Sequence, residues 1–599
     1  MSEERNPMEV VAKNLVEDYV KQDDWRVNEN ANMAYSLQGL NNYIKEEVTK
    51  YYWMNYIYSP AVKQAHVDGR FHLHDSGSLS GYCMGLDLED LLEVGYYGGP
   101  GKVRSNPPSH LSAALSQLNN LLFSVTGEVA GAVAVSNLDT LMAPFIFYDN
   151  LTKKQVKQAL QEFIFNLNVP TRTGYQSPFS NCTLDFTVPK HMAEKPVLLG
   201  GKRMDKCYKE FQKEMDLFNE CFFEIMNEGD ADGRIFSFPI PTVNVTKNFD
   251  WNNPRYKALW DNTAKYGQSY FCNYVSSDMD PADAMSMCCR LRIDLTELKR
   301  KGGLFGANPL TGSVSVCTIN FPRLGYLHKN DEAGFFKELD ELLLLAKEAL
   351  ETRRKYVELR TRGDFYPILK FYLRKTFARF QEYWKNHFST IATVGMNECC
   401  MNMFGYSIGD ERGRAFAIKV MNYLRNKAVE FQKETGHQYN IEQAPAEATS
   451  YRLAKIDKKK YPDIIVADNE TVEKEGVAPF YTNSTQLPVN YTDDIFEMMD
   501  NQSAINALYT GGSVQHLYLG ERVTDLESMK QLIKTVFSNY EIPYISITPT
   551  FSVCPVHGYL SGEHHYCPQC KTEKLHKINL EEERLKALLD IQQSKGDVL

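Results

Sequence analysis

No run of about 18 apolar residues occurs anywhere in the chain, so no segment is expected to cross a membrane as a helix. The opening stretch, Met1 to Asp24, mixes charges and has no apolar h-region, which removes the secretory reading. Basic residues do not dominate: 66 Lys and Arg against 76 Asp and Glu give a formal charge of −10. That balance argues against a general nucleic-acid or membrane-surface binder, because phosphate backbones attract a basic face. A locally positive pocket for a small anion stays open. No repeat, low-complexity tract or long linker interrupts the chain before residue 553. The 13 cysteines come without secretory features, which points to reduced thiols in a cytoplasm, used for metal or redox work and not as a disulfide framework.

What is present fits a soluble globular enzyme: 43% apolar, 24% charged and 12% aromatic residues. A chain of 599 residues has room for several domains, or for one large α/β body with a small appendage. The pattern favours the latter. Glu9 to Lys50 is helical. Phe71 to Asp75 alternates like a strand and ends in His72, His74 and Asp75. Spacing two puts His72 and His74 on one strand face, but no third metal ligand accompanies them, so hydrogen-bonded histidines are the expected reading. Small residues in Gly127-Glu-Val-Ala-Gly-Ala-Val-Ala134 suit close packing. Strand-like segments at Cys182 to Val188 and Phe236 to Val245 alternate with helical ones at Gln155 to Asn168, Lys206 to Asn227, Asp331 to Leu359 and Lys419 to Glu434. That alternation predicts an α/β architecture.

Sulfur is concentrated where chemistry would use it. Ser286-Met287-Cys288-Cys289-Arg290-Leu291 follows a turn-rich segment, and Cys317 waits in the strand-like Val314-Ser-Val-Cys-Thr-Ile-Asn320. Taken singly, each cysteine is as well explained by burial. The pair Cys399 and Cys400 reads as core. Hydroxyl-rich boundaries at Ala444 to Tyr451, Phe480 to Pro488, Tyr509 to Ser513 and Ile547 to Ser552 offer backbone N–H and hydroxyl groups suited to phosphate oxygens, although the same residues also cap helices.

The strongest metal signal is C-terminal. Cys554-Pro-Val-His557 and Cys567-Pro-Gln-Cys570 form two knuckles whose ligands converge tetrahedrally on one zinc. His564 and His565 in the intervening loop are alternatives to His557. Four protein ligands leave no open position, so this zinc is expected to staple a small lobe and not to hydrolyse anything.

In order along the chain, His66 to Leu88, Arg172 to Asp185, Phe236 to Val245, Met287 to Ile293, Gly312 to Tyr326, Ala444 to Leu453, Tyr481 to Pro488, Ser546 to Tyr559 and the zinc knuckles together resemble the anaerobic (class III) ribonucleoside-triphosphate reductases. The resemblance implies a ten-stranded α/β barrel with a cysteine finger loop through its centre. It further implies a homodimer, a deoxynucleotide or ATP effector, and reduction of ribonucleoside triphosphates to deoxyribonucleoside triphosphates by radical chemistry. Carried over residue by residue, Cys289 matches the thiyl position that abstracts the ribose 3′-hydrogen. Cys83 matches the cysteine that reduces the 2′-position, and Asn320 a polar residue near the ribose. Ala444, Glu447, Thr449, Ser450, Thr548, Thr550 and Ser552 match the nucleotide and phosphate region. The resemblance also suggests that Cys317 pairs with Cys83, which favours a thioredoxin- or glutaredoxin-like reductant over the formate that some members oxidise.

One family feature does not appear. The motif resembling Arg-Val-x-Gly-Tyr, which carries the glycyl radical, is not found after Cys570. Residues 571–593 read as a charged helix, and Gly596 lacks the motif's flanks. The expected organisation is a barrel over residues 1–552 with no ATP-cone before it, a zinc lobe over 553–575, and a helical tail over 576–599, with Leu580, Leu585, Leu588 and Ile591 at helical spacings. The radical is then expected from a separate small glycyl radical protein, charged by an S-adenosylmethionine/iron-sulfur activase. The competing expectations are a non-catalytic nucleotide-binding regulator, against which retention of Cys83, Cys289 and Cys317 speaks, and a lyase on the same fold.

Overall fold

The computed structural model describes residues 7–21, 35–276, 284–287, 291–294, 310–444, 446–475, 478–489, 491–519, 523, 525–549, 551–554 and 558–561. Its first strands are β1 (Phe71–Leu73), β2 (Cys83–Leu86), β3 (Val133–Val135), β4 (Ser180–Leu184), β5 (Pro196–Leu199), β6 (Lys202–Cys207), β7 (Ile240–Thr246) and β8 (Tyr270–Tyr274). Then follow β9 (Ala284–Met287), β10 (Leu291–Asp294), β11 (Gly312–Asn320), β12 (His387–Val394), β13 (Gln438–Glu442), β14 (Gln515–Tyr518), β15 (Tyr544–Thr548), β16 (Phe551–Cys554) and β17 (Gly558–Ser561).

One large mixed sheet runs in the order β13-β12-β11-β2-β3-β4-β7-β8-β15-β14, with β1 paired on β11. Neighbours from β2 through β8 are parallel, as are β11-β12-β13 and β14-β15. The two groups meet antiparallel at β2/β11 and β8/β15. Beyond β13, Glu442 bridges Gly512 in the parallel sense, Gln443 N–H donates to the Gly512 carbonyl at 3.1 Å, and Gly511 N–H donates to that of Ile441 at 2.8 Å.

The strands are two-faced because their sequences alternate. Met84, Leu86, Val133, Val135, Cys182, Leu184, Val243, Val245, Phe271, Ile545 and Ile547 share a buried core with residues of helices Leu111–Thr126, Leu138–Tyr148, Lys153–Asn168 and Gln212–Glu228. Cys317, Ile319, Ile391, Tyr439 and Ile441 do the same with helices Glu332–Arg362 and Glu411–Thr435. Burying each large apolar side chain stabilises by about 1.5–3 kcal/mol. Residues of opposite parity are polar: Asn181, Thr183, Thr242, Asn244, Thr318, Thr390, Asn440 and Ser546, all buried. A sheet with one apolar face under helices and one buried polar face has a lined interior on the polar side.

One boundary differs from the sequence reading. Lys206 belongs to β6, held against β5 by the Pro196↔Cys207 and Leu199↔Lys202 pairs, and the helix begins only at Gln212. Hydrogen bonding to a neighbouring strand overrides local helical spacing there. Cys399 and Cys400 are core residues, as expected. Among the described residues no helix is long and apolar enough to cross a membrane.

Candidate active site

Cys83 opens β2. Its neighbour Met84 points into the helix-covered core, so parity turns the Cys83 thiol to the polar face, where it is buried. The wall opposite is glycine: a Cβ on Gly131 would come within 2.7 Å of Cys83 Sγ, and Gly131 N–H donates to the Tyr82 carbonyl at 2.7 Å. Tyr82 packs on Val316, Ala392 and Ala444. Arg172 grips the segment before Gly131, its Nη2 donating to the carbonyls of Val129 and Ala130 at 3.1 and 2.5 Å. Burial pulls its pKa down, against the charges of Asp75, Cys83 and Glu46.

Cys289 falls in residues 288–290, outside the described residues. The strands on either side form an antiparallel hairpin that pairs Met287 with Leu291, and β9 packs against β2, β3 and β4. The hairpin on either side of the expected finger thus flanks the strand that carries Cys83.

Cys317 is not brought to Cys83, which corrects the expected pairing. Ser313 lies across from Cys83 and hydrogen-bonds Thr390 at 2.9 Å. In a regular strand Cys317, four residues on, would share the face of Ser313. A β-bulge between Ser313 and Ser315 adds one residue against β12 and reverses the parity. Cys317 therefore pairs with Leu73 and Ile391 in the apolar core, and burial there pushes its thiol pKa far up.

Asn320 is likewise placed away from Cys83. Its Nδ2 donates to the Gly69 carbonyl and to Asp457 Oδ2, both at 2.8 Å, and its Oδ1 caps helix Phe321–Leu327 at Arg323 N–H. It fastens β11 to helix Glu447–Lys460.

Of the expected nucleotide-region residues, Ala444 lies on the polar face beside Val316 and Tyr82. Glu447 is exposed, Thr449 and Ser450 are buried, and Ser450 Oγ accepts from Tyr481 N–H. The helix they open has Ala446 at its N-cap, with no side-chain cap among the described residues. Thr548 ends β15, which is separated from β2 by β3, β4, β7 and β8 in the sheet order. Thr550 and the side chain of Ser552 lie outside the described residues. So do His557, Cys567, Cys570 and the side chain of Cys554, whose backbone pairs with Gly558 in the β16–β17 hairpin. No cluster able to hold a metal ion occurs among the described residues, His72 and His74 included. A surface cleft of about 450 Å³ lies elsewhere, over helix Glu332–Arg362, and Glu351 within it is already bonded by His437 and Tyr439 at 2.6 Å each.

The polar face also holds residues that the sequence reading passed over. Asp185, just past β4, accepts from Asn137, Thr140 and Asn244 at 2.7–2.9 Å. Asp139 behind it accepts backbone N–H bonds from Thr140, Asp185 and Phe186 and one from Asn219. Burial and the Asp139 charge push Asp185 up to about 7, while three donors oppose the rise. The signal was the alternation in Asn181-Cys-Thr-Leu-Asp185 and Thr242-Val-Asn-Val-Thr246, where polar residues keep one parity. Nearby, Ser136 Oγ, Asn181 Oδ1, Thr183 Oγ1 and Asn244 Oδ1 are buried without a hydrogen-bond partner among the described residues, as expected where a ligand or another segment completes the site.

A raised folded-state pKa favours the fold below the unfolded value near 4, and the contribution is lost as pH climbs through about 7. Asp185→Asn is therefore expected to flatten the decline in stability between pH 4 and 7, measured as urea midpoints across that range. An unchanged slope would show that Asp185 is ionised throughout.

A family model for the anaerobic ribonucleoside-triphosphate reductases matches residues 29–579. The anaerobic ribonucleoside-triphosphate reductase of Haemophilus influenzae is 23% identical over 608 residues, covering 92% of this chain and 79% of the relative. That of Escherichia coli is 22% identical, covering 89% and 76%. Among solved structures, the Thermotoga maritima anaerobic ribonucleotide reductase in complex with dATP and CTP matches with a TM-score of 0.69 at 19% identity, over 94% of each chain. At that identity the structural likeness speaks for the fold.

Proposed function

The chain belongs to the anaerobic ribonucleoside-triphosphate reductase family, and we propose that it reduces ribonucleoside triphosphates on the polar face of its sheet, with Cys289 as the radical residue and Cys83 as the thiol beside the 2′-carbon. The observation that carries this reading is the juxtaposition of Cys83 on β2 with the hairpin that flanks Cys289. The helical face of β2–β4 is already filled, so the hairpin takes the polar one. The bridge from Glu442 to Gly512 joins the ends of the strand order, which supports a closed ten-stranded barrel around that hairpin.

In this mechanism Cys289 removes the 3′-hydrogen, water leaves from C2′, and Cys83 returns a hydrogen to C2′. The remaining requirement is two electrons. A dithiol route closes a disulfide at Cys83, but Cys317 sits on the wrong face to be its partner. We therefore place formate ahead of a redoxin: ribonucleotide, formate and a proton give deoxyribonucleotide, carbon dioxide and water. A glycyl radical on a separate protein, served by an S-adenosylmethionine-dependent activase, is proposed as the source of the unpaired electron. Zinc held by Cys554, His557, Cys567 and Cys570 is proposed as a structural staple. A homodimer and a deoxynucleotide effector complete the reading, following the relative solved with dATP in its specificity site.

The test is an anaerobic assay of the purified chain with a ribonucleoside triphosphate, with and without an activated glycyl radical partner, in formate and dithiol arms. Deoxynucleotide is expected only with the partner, and in the formate arm. Product in the dithiol arm alone would restore the redoxin. Failure in both arms, with nucleotide still bound, would favour the regulator.

A further inference from the structure

The glycine wall that closes on Cys83 is not regular strand, and one side chain accounts for its shape. Residues 129–132 run beside 81–84 in parallel: Val129 bridges Gly81, Ala130 N–H donates to the Gly81 carbonyl at 3.0 Å, and Met84 N–H donates to that of Ala132 at 3.0 Å. Successive carbonyls of an extended strand point to opposite sides. Those of Val129 and Ala130 instead converge on Arg172 Nη2, at 3.1 and 2.5 Å. The chain therefore turns at Ala130, and the residue that leaves the turn is Gly131, whose backbone meets the thiol.

Arg172 is itself held in place. Its N–H donates to the Gln176 carbonyl at 2.9 Å and its carbonyl accepts from Gln176 N–H at 3.3 Å, closing a three-residue loop in which Gly174 and Tyr175 have φ of +87° and +59°. At the other end of the wall Glu128 accepts from the N–H groups of Ile368 and Leu369 at 3.1 and 2.8 Å, which ties it to helix Pro367–Tyr372. Between these anchors the packing is tight. A Cβ on Gly131 would lie 2.7 Å from Cys83 Sγ, 3.0 Å from the Tyr82 ring and 3.1 Å from the Tyr82 carbonyl. The carboxylates of Asp75 and Glu46 and the Cys83 sulfur all lie within electrostatic reach of the guanidinium.

We propose that Arg172 is the positioning residue for Cys83: by turning the chain at Ala130 it sets Gly131 as the backstop that holds the thiol toward the ribose. The proposal rests on the reductase reading and adds to it the group that orients the hydrogen donor. In this role Arg172 touches neither substrate nor radical, and acts through two carbonyls and a glycine. A misplacement of about 1 Å at a reacting atom costs on the order of a hundredfold in rate, so a side chain that never meets the nucleotide shows itself in kcat. Lysine at this position keeps a cation able to donate to both carbonyls but loses the planar fork, so it preserves part of the effect. A methyl on Gly131 disturbs the same contact from the other side. Gly131 does not have a left-handed φ, so alanine there meets only the thiol and the Tyr82 ring and carbonyl.

The test compares wild type with Arg172→Met, Arg172→Lys, Gly131→Ala and the double variant Arg172→Met/Gly131→Ala in two measurements. The first is iodoacetamide alkylation of the full chain, without nucleotide or radical partner, mapped by peptide mass spectrometry. Arg172→Met is expected to speed alkylation of Cys83 by about threefold or more while Cys317, in the apolar core, stays as protected as in wild type. The second is anaerobic turnover with the activated partner and formate. In Arg172→Met kcat should fall about ten- to a hundredfold with the KM for ribonucleoside triphosphate unchanged. Arg172→Lys should recover part of the loss, and the double variant should fall no further than the worse single one, as expected of two changes at one contact. Cys83 alkylated no faster than in wild type, or an unchanged kcat in Arg172→Met, would overturn the proposal. Equal gains in alkylation at Cys83 and Cys317, or a KM that rises as kcat falls, would make Arg172 a general stabiliser and overturn it as well. A wild type that gives no product with formate or with a dithiol would overturn the reductase reading, and Cys83-selective alkylation would still establish Arg172 as the residue that holds the thiol.

Discussion

Cys289→Ala is expected to abolish deoxynucleotide formation, a loss of at least about a thousandfold, the scale seen when the residue that starts a covalent or radical sequence is removed. Cys83→Ser should do the same, since the thiol turned to the polar face opposite Gly131 is the proposed hydrogen donor to C2′. The discriminating member of the series is Cys317→Ala. That side chain sits between Leu73 and Ile391 in the apolar core, so its loss should lower stability modestly and leave turnover within a few-fold of wild type. Anaerobic turnover of the three variants, each with the radical partner and formate, measures this directly. If Cys317→Ala fell as far as Cys83→Ser while keeping its stability, the two sulfurs would be a redox pair after all. The polar-face assignment made from strand parity would then be wrong.

The same parity explains how much the sequence could reveal. Strand alternation identified the α/β layering, because each strand buries apolar residues under helices at every second position. The expected cysteine finger was read from two sulfurs between turn residues; its tip lies outside the described residues, and the hairpin on either side packs against β2, β3 and β4. Cys317 was misread because a β-bulge is invisible in a hydrophobic pattern: Val314-Ser-Val-Cys-Thr-Ile alternates on either side of it, and only pairing with β12 shows the shift at Ser313/Ser315. The partners of Asn320 were illegible for a different reason. An asparagine at a strand end serves a ligand or a helix cap equally well, and its partners Gly69 and Asp457 are 251 and 137 residues away. The histidines were seen as a spacing-two pair, but Arg452, which approaches His72 Nδ1 at 3.4 Å, lies 380 residues on and left no local signal.

Asp457→Ala is expected to cost about 3–5 kcal/mol of local stability, because it strands a buried arginine. Arg323 and Asp457 form an ion pair with side chains only 3% and 0% exposed. Asn320 and Tyr481 donate to the same carboxylate at 2.8 and 2.7 Å, and Arg323 Nη1 also donates to the Asp68 carbonyl at 2.6 Å. Burial pushes the Asp457 pKa up, and Arg323, Asn320 and Tyr481 pull it back down. Asp457→Asn keeps the shape but not the charge, and should be nearly as costly. Pairing Asp457→Leu with Arg323→Met removes both charges and should recover much of the loss, since a buried ion pair often gives little net stability over apolar side chains of similar volume. A chain this long need not unfold in one step, so the measurement is amide exchange in helix Glu447–Lys460 and in β11, the elements that the network joins. Faster exchange there, with the helices over β2–β4 unaffected, would mark the network as the clamp holding the expected nucleotide-region residues Ala444, Thr449 and Ser450 in place. A rise in the KM for nucleotide should accompany it, because Thr449 and Ser450 move with the loosened helix. Uniformly faster exchange across both cores would make the pair a general stabiliser with no special hold on the site.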